Sequence, residues 1–316
     1  MNPALPAHAV VIGGGTMGAD VAVVLARGGL HVTVVERAAA QSERAAQRIG
    51  RELAALGRPH SPRLVASLEQ VEWSGVGLVV ECIVEQLDAK QQLFAELVRR
   101  APPDALLTSN SSGLPISQIA QGLPTQARMF GLHFFMPAHL VPLVEVVMGP
   151  ASDEAGAQRL MATMRRCASV PVLVRKDRPG FLANRLQHAL AREAFALLDD
   201  GVASAEDIDA AVRFGFGFRF LAAGPVLQRE HAGLDIHCAA AATIYPSLCN
   251  DSQPARVLRE QVAAGRVGMK AGAGFTDWPD ERRDAERARY DRLLRAGLDL
   301  LRDELPPLPS SPASPP

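Results

Sequence analysis

Short unbroken apolar runs alternate with stretches of helical spacing over the first half of this chain, and that pattern predicts the order of its elements. The run ending at Ile12 reads as a strand, followed by a helical pattern over Ala19 to Arg27 and a second strand, His31 to Glu36. Ala45, Ile49, Leu53 and Leu56 share one face of a helix from Ala38 to Leu56, with Pro59 and Pro62 ending it. Leu78 to Val84 reads as a strand, Leu87 to Arg99 as a helix with Leu87, Leu93, Phe94 and Leu97 inward, and Ala105 to Thr108 as a further strand. Phe130 to Phe135 and Leu143 to Met148 are apolar runs bracketed by Pro137, Pro142 and Pro150, which predicts two buried strands. Val170 to Arg175 closes the series. Strand alternating with helix means a doubly wound α/β sheet.

Beyond Asp177 the rhythm is helical. Asp177 and Pro179 read as a helix start, and Phe181, Leu182, Leu186 and Leu190 fall on one face. Ser204 with Asp207 caps the next helix, Phe214 to Pro225 breaks the spacing, and helices resume over His231–Tyr245, Arg256–Ala264 and Arg282–Arg302. The expected division is a sheet domain over 1–178, an all-helical domain over 179–304 and a Pro/Ser-rich disordered tail over 305–316.

With 316 residues and 48% hydrophobic content, each domain can bury its own core. A net charge of -1 gives no electrostatic case for nucleic acid or an anionic membrane. Cys82, Cys167, Cys238 and Cys249 have no metal-ligand or redox spacing, which suits reduced thiols in the cytoplasm. The first residues lack a signal peptide's basic start and apolar centre, and no apolar run is long enough to span a bilayer.

Candidate chemistry starts at Gly13, Gly15 and Gly18, spaced G-x-G-x-x-G between a strand and a helix. Such glycines make a tight turn, admit a pyrophosphate and let helix pack on strand, while amides near Thr16 and Met17 meet the phosphates. Glu36 ends the second strand at the distance expected of an acid that binds an adenosine ribose, favouring NAD, although Arg37 beside it could pair with a 2′-phosphate. Glu85 and Lys90 flank another strand end, as ligands of a cofactor or as a surface ion pair. Ser109, Asn110, Ser111 and Ser112 offer hydrogen-bonding groups at the next, or form a capping turn. His133 and Glu145 lie on neighbouring apolar strands, where the carboxylate could fix the imidazole's tautomer and create a general base. A satisfied core histidine and a strand-end carboxylate give the same local pattern.

The glycine run, ECIVEQLDAKQQLFAEL from Glu81, SNSSGLPIS from Ser109, the His133 segment and DRPGFLANRL from Asp177 occur in the order of the 3-hydroxyacyl-CoA dehydrogenase family, which this chain resembles from His8 to Phe275. The resemblance implies an N-terminal Rossmann-type sheet, an all-helical C-terminal domain that pairs subunits into a homodimer, NAD as cofactor, a small-molecule substrate and a place in fatty acid metabolism. It implies His133 as base, Glu145 as its orienting partner, and Ser112 and Asn184 at the reacting oxygen. Glu36 would bind ribose, with Glu85, Lys90, Asn110, Ser112 and Lys270 around the cofactor, and no metal. Two departures matter. Met136 replaces an asparagine at the substrate pocket's edge, and the helix after Glu36 has arginines but no lysine to meet CoA phosphates. The segment GFGFRFLAAGP resembles the gulonate and carnitine dehydrogenase branch, in which Arg219 would clamp a free carboxylate. Oxidation of a 3-hydroxyacyl-CoA is the expected activity, with a free 3-hydroxy acid as the alternative substrate and a non-enzymatic NAD-binding protein as the third reading.

Overall fold

The computed structural model describes residues 5–58 and 62–309. It forms two compact units, the first reaching Asn184 and taking in the chain again from Arg302, the second running from Arg185 to Leu301. In the first, β1 (His8–Ile12), α1 (Thr16–Arg27), β2 (His31–Val35), α2 (Ala39–Ala55), β3 (Arg63–Val65), β4 (Val76–Glu81), α3 (Leu87–Arg100) and β5 (Leu106–Ser109) follow in turn. After the short α4 (Ile116–Ile119) come β6 (Met129–Phe134), β7 (Leu143–Met148), α5 (Glu154–Arg166) and β8 (Val170–Val174). All eight strands make one sheet in the order β3-β2-β1-β4-β5-β6-β7-β8.

The strand order reverses between β1 and β4, which opens a crevice at their carboxyl ends. Every neighbouring pair is parallel except β6 and β7, so β7 and β8 run against the other six. Side chains on successive strand residues face opposite ways, and both faces are covered. Ala9 and Val11 pack with α1, α2 and α5, whereas Val10 and Ile12 pack with Phe94 and Leu97 of α3 and with α4. α5 goes beyond the elements expected from pattern; Asp153 caps it by accepting from the amide of Gly156.

The strand expected to reach Val84 stops at Glu81, because the Glu81 carboxylate accepts from the amide of Ile83 and turns the chain out of the sheet. The helix expected from Asp177 begins instead at Ala183, as α6 (Ala183–Asp199). Asp177 is occupied by the amide of Ser117, and Phe181 has φ +50°, a left-handed conformation no helix contains. The first unit therefore extends six residues beyond the expected boundary at 178. Of the tail expected to be disordered, the described part reaches Pro309, whose carbonyl accepts from Arg58. Pro59 and residues 310–316 lie outside the described residues.

The second unit holds the rest of α6, then α7 (Ala205–Ala210), α8 (Pro225–Ala232), α9 (Leu234–Ile244), α10 (Arg256–Ala263) and α11 (Asp280–Leu300). Ser204 caps α7 by accepting from Asp207, and the break after it is a π-turn over Ala211–Phe216 followed by a 3-10 turn, Phe218–Leu221. Glu193 on α6 receives the amide of Cys249, and Asp199 receives those of Arg256 and Val257 at the start of α10. None of these helices has a fully buried residue.

Candidate active site

The glycine turn is built as a dinucleotide site requires. Gly13 has φ +102°, and a Cβ there would come within 2.6 Å of the Cys82 carbonyl, so only glycine fits. A Cβ on Gly18 would sit 1.8 Å from the Gly13 carbonyl oxygen, which accounts for the close seating of α1. Gly15 faces open space instead, at the uncapped start of α1. A cavity of about 310 Å³ opens there, lined by Gly14, Gly15, Thr16, Gln41 and Arg44 among others. Free amides at a helix start beside such a space suit a pyrophosphate. Glu36 lies alongside, its two oxygens accepting from the amides of Gly14 (2.8 Å) and Ala38 (2.9 Å), which aims the carboxylate at the glycine turn. These residues fit NAD.

At the next strand end the structure gathers a cluster of charges. Lys90 is 1% exposed, with Nζ 2.6 Å from Glu81 and 3.3 Å from Glu85. Glu81 also accepts from the Ser109 hydroxyl at 2.6 Å. Glu85 accepts from the hydroxyl of Ser111 and from the amides of Ser112 and Gly113, both at 3.1 Å. Burial pushes the Glu85 carboxyl up, but the Ser111 hydroxyl, the Lys90 charge and the Gly113 amide outweigh it and hold the group below its ordinary value. Of this pair only Lys90 is buried, while the Glu85 side chain remains 46% exposed at the strand end. Lys90 is an internal counter-ion that holds Glu85 over the turn following β5. Glu81 was not among the expected residues, although an acid inside the run VVECIV was the available signal.

His133 and Glu145 are directly opposite in the antiparallel register of β6 and β7, and therefore on the same face. His133 Nδ1 lies 2.8 Å from Glu145 Oε2, and both side chains are buried. Glu145 Oε1 accepts the amides of Leu182 (3.0 Å) and Ala183 (2.7 Å) at the start of α6. With Glu145 as acceptor, Nδ1 carries the proton, and Nε2, which makes no hydrogen bond among the described residues, is left to exchange one. The imidazole packs edge-on against Phe135 and Phe181, with centroids at 4.5 and 5.5 Å. Phe181 adopts its strained backbone at this contact and was missed as a site residue, since no local pattern announces a left-handed phenylalanine.

Asn110 and Asn184 serve the site through backbone. Asn110 Oδ1 accepts from the amide of Phe134 beside the base, and Asn184 Nδ2 reaches the Ser112 carbonyl at 3.4 Å. Met136 is exposed just beyond β6. Lys270 and Arg219 are exposed residues of the second unit, Lys270 in the turn Met269–Ala271. Burial pushes the Cys167 thiol up to about 12 and raises that of Cys82 as well, so neither supplies a thiolate.

A dinucleotide turn and a carboxylate-oriented imidazole on one sheet define an NAD-dependent oxidoreductase acting on CH–OH groups. The chain belongs to the 3-hydroxyacyl-CoA dehydrogenase family: its NAD binding domain matches residues 8–178 and its C-terminal domain residues 180–278. It is 33% identical to 5-formyl-3-hydroxy-2-methylpyridine 4-carboxylate 5-dehydrogenase of Mesorhizobium japonicum, over 90% of this chain and 95% of that one. It is 34% identical to 3-hydroxybutyryl-CoA dehydrogenase of Mycobacterium tuberculosis, over 84% and 96%. Among solved structures, a 5-formyl-3-hydroxy-2-methylpyridine 4-carboxylic acid 5-dehydrogenase described as an NAD+ dependent dismutase superposes with a TM-score of 0.87 at 31% identity, covering 93% of this chain and 98% of that one.

Proposed function

We propose that this chain reversibly oxidises the 3-hydroxyl of a 3-hydroxyacyl-CoA, and the observation carrying the chemistry is the buried 2.8 Å contact between His133 and Glu145. His133 Nε2 takes the hydroxyl proton while the electron pair of the C–H bond leaves as hydride, so that a carbonyl forms. NAD, held at Gly15 and Glu36, supplies the hydride acceptor. Glu145 keeps Nδ1 protonated and stabilises the imidazolium that results. Ser112 and Asn184 flank the reacting oxygen in this reading. In reverse, the imidazolium donates the proton to the reduced oxygen.

A second reading, the same chemistry on a free hydroxy acid, is favoured by α2. Of the α2 arginines that could have met CoA phosphates, Arg48 is taken up by the buried Asp20, while Arg51 and Arg44 make exposed contacts to Glu52 and Gln41. The Mesorhizobium relative, by its name, also acts on a carboxylate rather than a thioester. Purified protein assayed for reduction of acetoacetyl-CoA and for oxidation of 3-hydroxybutyrate, gulonate and carnitine separates the two. Turnover of the thioester alone supports the first reading, and turnover of free acids alone replaces it with the second. In the second case Arg219→Met should raise KM sharply; for a thioester it should leave KM nearly unchanged. Homodimerisation through the helical unit belongs to the same proposal, supported by its exposed Leu186, Phe214, Phe218, Leu227, Leu234 and Ile236.

A further inference from the structure

A second buried polar cluster in the first unit takes no part in the proton or hydride step. Asp20, in the second turn of α1, is fully buried and accepts from Arg48 of α2 at 2.5 and 3.0 Å and from the amide of Ala138 at 3.2 Å. His139 Nδ1 lies 3.2 Å from the same Asp20 oxygen, off the line of a hydrogen bond, and its Nε2 is 3.6 Å from Glu52. Arg27, the last residue of α1, donates to the His139 carbonyl at 2.9 Å and continues to the Cys167 carbonyl and the Ser169 hydroxyl at 2.8 and 3.3 Å. Burial pushes the Asp20 carboxyl up, yet the contacts with His139 and Arg48 more than offset it and hold the group below its ordinary value. Apolar side chains would fill this volume with less desolvation. What they lack is direction.

Ala138 and His139 lie in the connection from β6 to β7, directly after His133, Phe135 and Met136. We propose that Asp20, His139 and Arg27 anchor this connection to α1, which makes Asp20 and His139 positioning residues for the substrate side of the pocket. The helix whose first turn receives the cofactor phosphates then also holds Phe135 against the base and sets Met136 at the pocket edge. One rigid element fixes both partners of the hydride transfer. Misplacement by about 1 Å costs such a reaction up to about 10²-fold, which gives the anchor its purpose. The proposal rests on the dehydrogenase reading above.

The test is His139→Ala in the full-length protein, with KM taken for whichever substrate the wild type turns over, the NAD Kd from fluorescence titration, and hydrogen exchange at Leu140 and Val141, whose amides bond the Pro137 carbonyl. KM should rise about tenfold with NAD affinity within twofold of wild type, and exchange at 140 and 141 should quicken. His139→Asn, which keeps a polar group within reach of Asp20, should recover most of the KM. If the alanine variant does not fold, His139→Leu fills the space without a polar group and should show the same rise. An unchanged KM in a folded variant overturns the anchor, as does a KM and an NAD Kd that worsen together in step with lost thermal stability. A wild type that turns over nothing removes the dehydrogenase reading and the positioning role with it. The exchange data report separately whether the tie exists.

Discussion

Lys90–Glu81, which joins α3 to β4, and His133–Glu145, which joins β6 to β7, are both buried acid–base pairs with contacts of 2.6 and 2.8 Å, yet they are finished differently. Glu81 divides its oxygens among the Lys90 ammonium, the Ile83 amide and the Ser109 hydroxyl, and the ammonium spends its remaining reach on Glu85. Glu145 is equally saturated, by one ring nitrogen and two amides. The imidazole alone keeps a nitrogen in reserve. Burial and short distance mark both pairs; what separates architecture from chemistry is one unused valence for a proton.

Removing each base should break the two pairs in different currencies. His133→Asn should lower kcat by about 10²- to 10⁴-fold with the NAD Kd unchanged, read from NADH formation under saturating cofactor. Glu145→Gln should approach that loss by releasing the ring to the wrong tautomer; survival of full activity would remove the orienting role. Lys90→Met should instead destabilise the fold by about 3–5 kcal/mol, because Glu81 stays buried without its counter-charge. Urea denaturation checks this, and a change below about 1 kcal/mol would contradict the internal counter-ion. Glu36→Ala should weaken NAD about tenfold and NADP less, by direct titration of both.

The smallest expected effect concerns acid. Asp20 has its carboxyl below the ordinary value of 3.8, so its stabilising contacts are complete above that pH and are lost as pH falls through the folded value. Asp20→Asn should be less stable than wild type at neutral pH and lose less on acidification. Parallel melting curves for the two proteins below pH 4 would show that the Asp20 charge does not contribute.

Most of the first unit was legible because its signals are local. Strand runs, amphipathic α2 and α3 and the glycine turn each declare themselves within about a dozen residues. His133 and Glu145 were also legible as a pair, being polar residues in two adjacent apolar runs. What escaped depends on partners distant in sequence. Glu145's second oxygen waits for amides 37 and 38 residues on, and Asp20's meets an amide 118 residues away. The start of α6 was misplaced because Asp177 and Pro179 form a plausible helix opening whose acid is taken by Ser117, across 60 residues. The second unit's helices were readable from spacing, but none of them has a fully buried residue to confirm which way its apolar face turns.

The reversal of β7 against β6 has one more effect. Base and orienting acid come from consecutive strands only 12 residues apart, so closing a single hairpin assembles the dyad without waiting for any crossover helix. The proton-handling unit is thus a local cassette clipped to a slower-forming nucleotide fold. Pulse-labelled exchange during refolding should find the amides of β6 and β7 protected no later than those of β1 and β4.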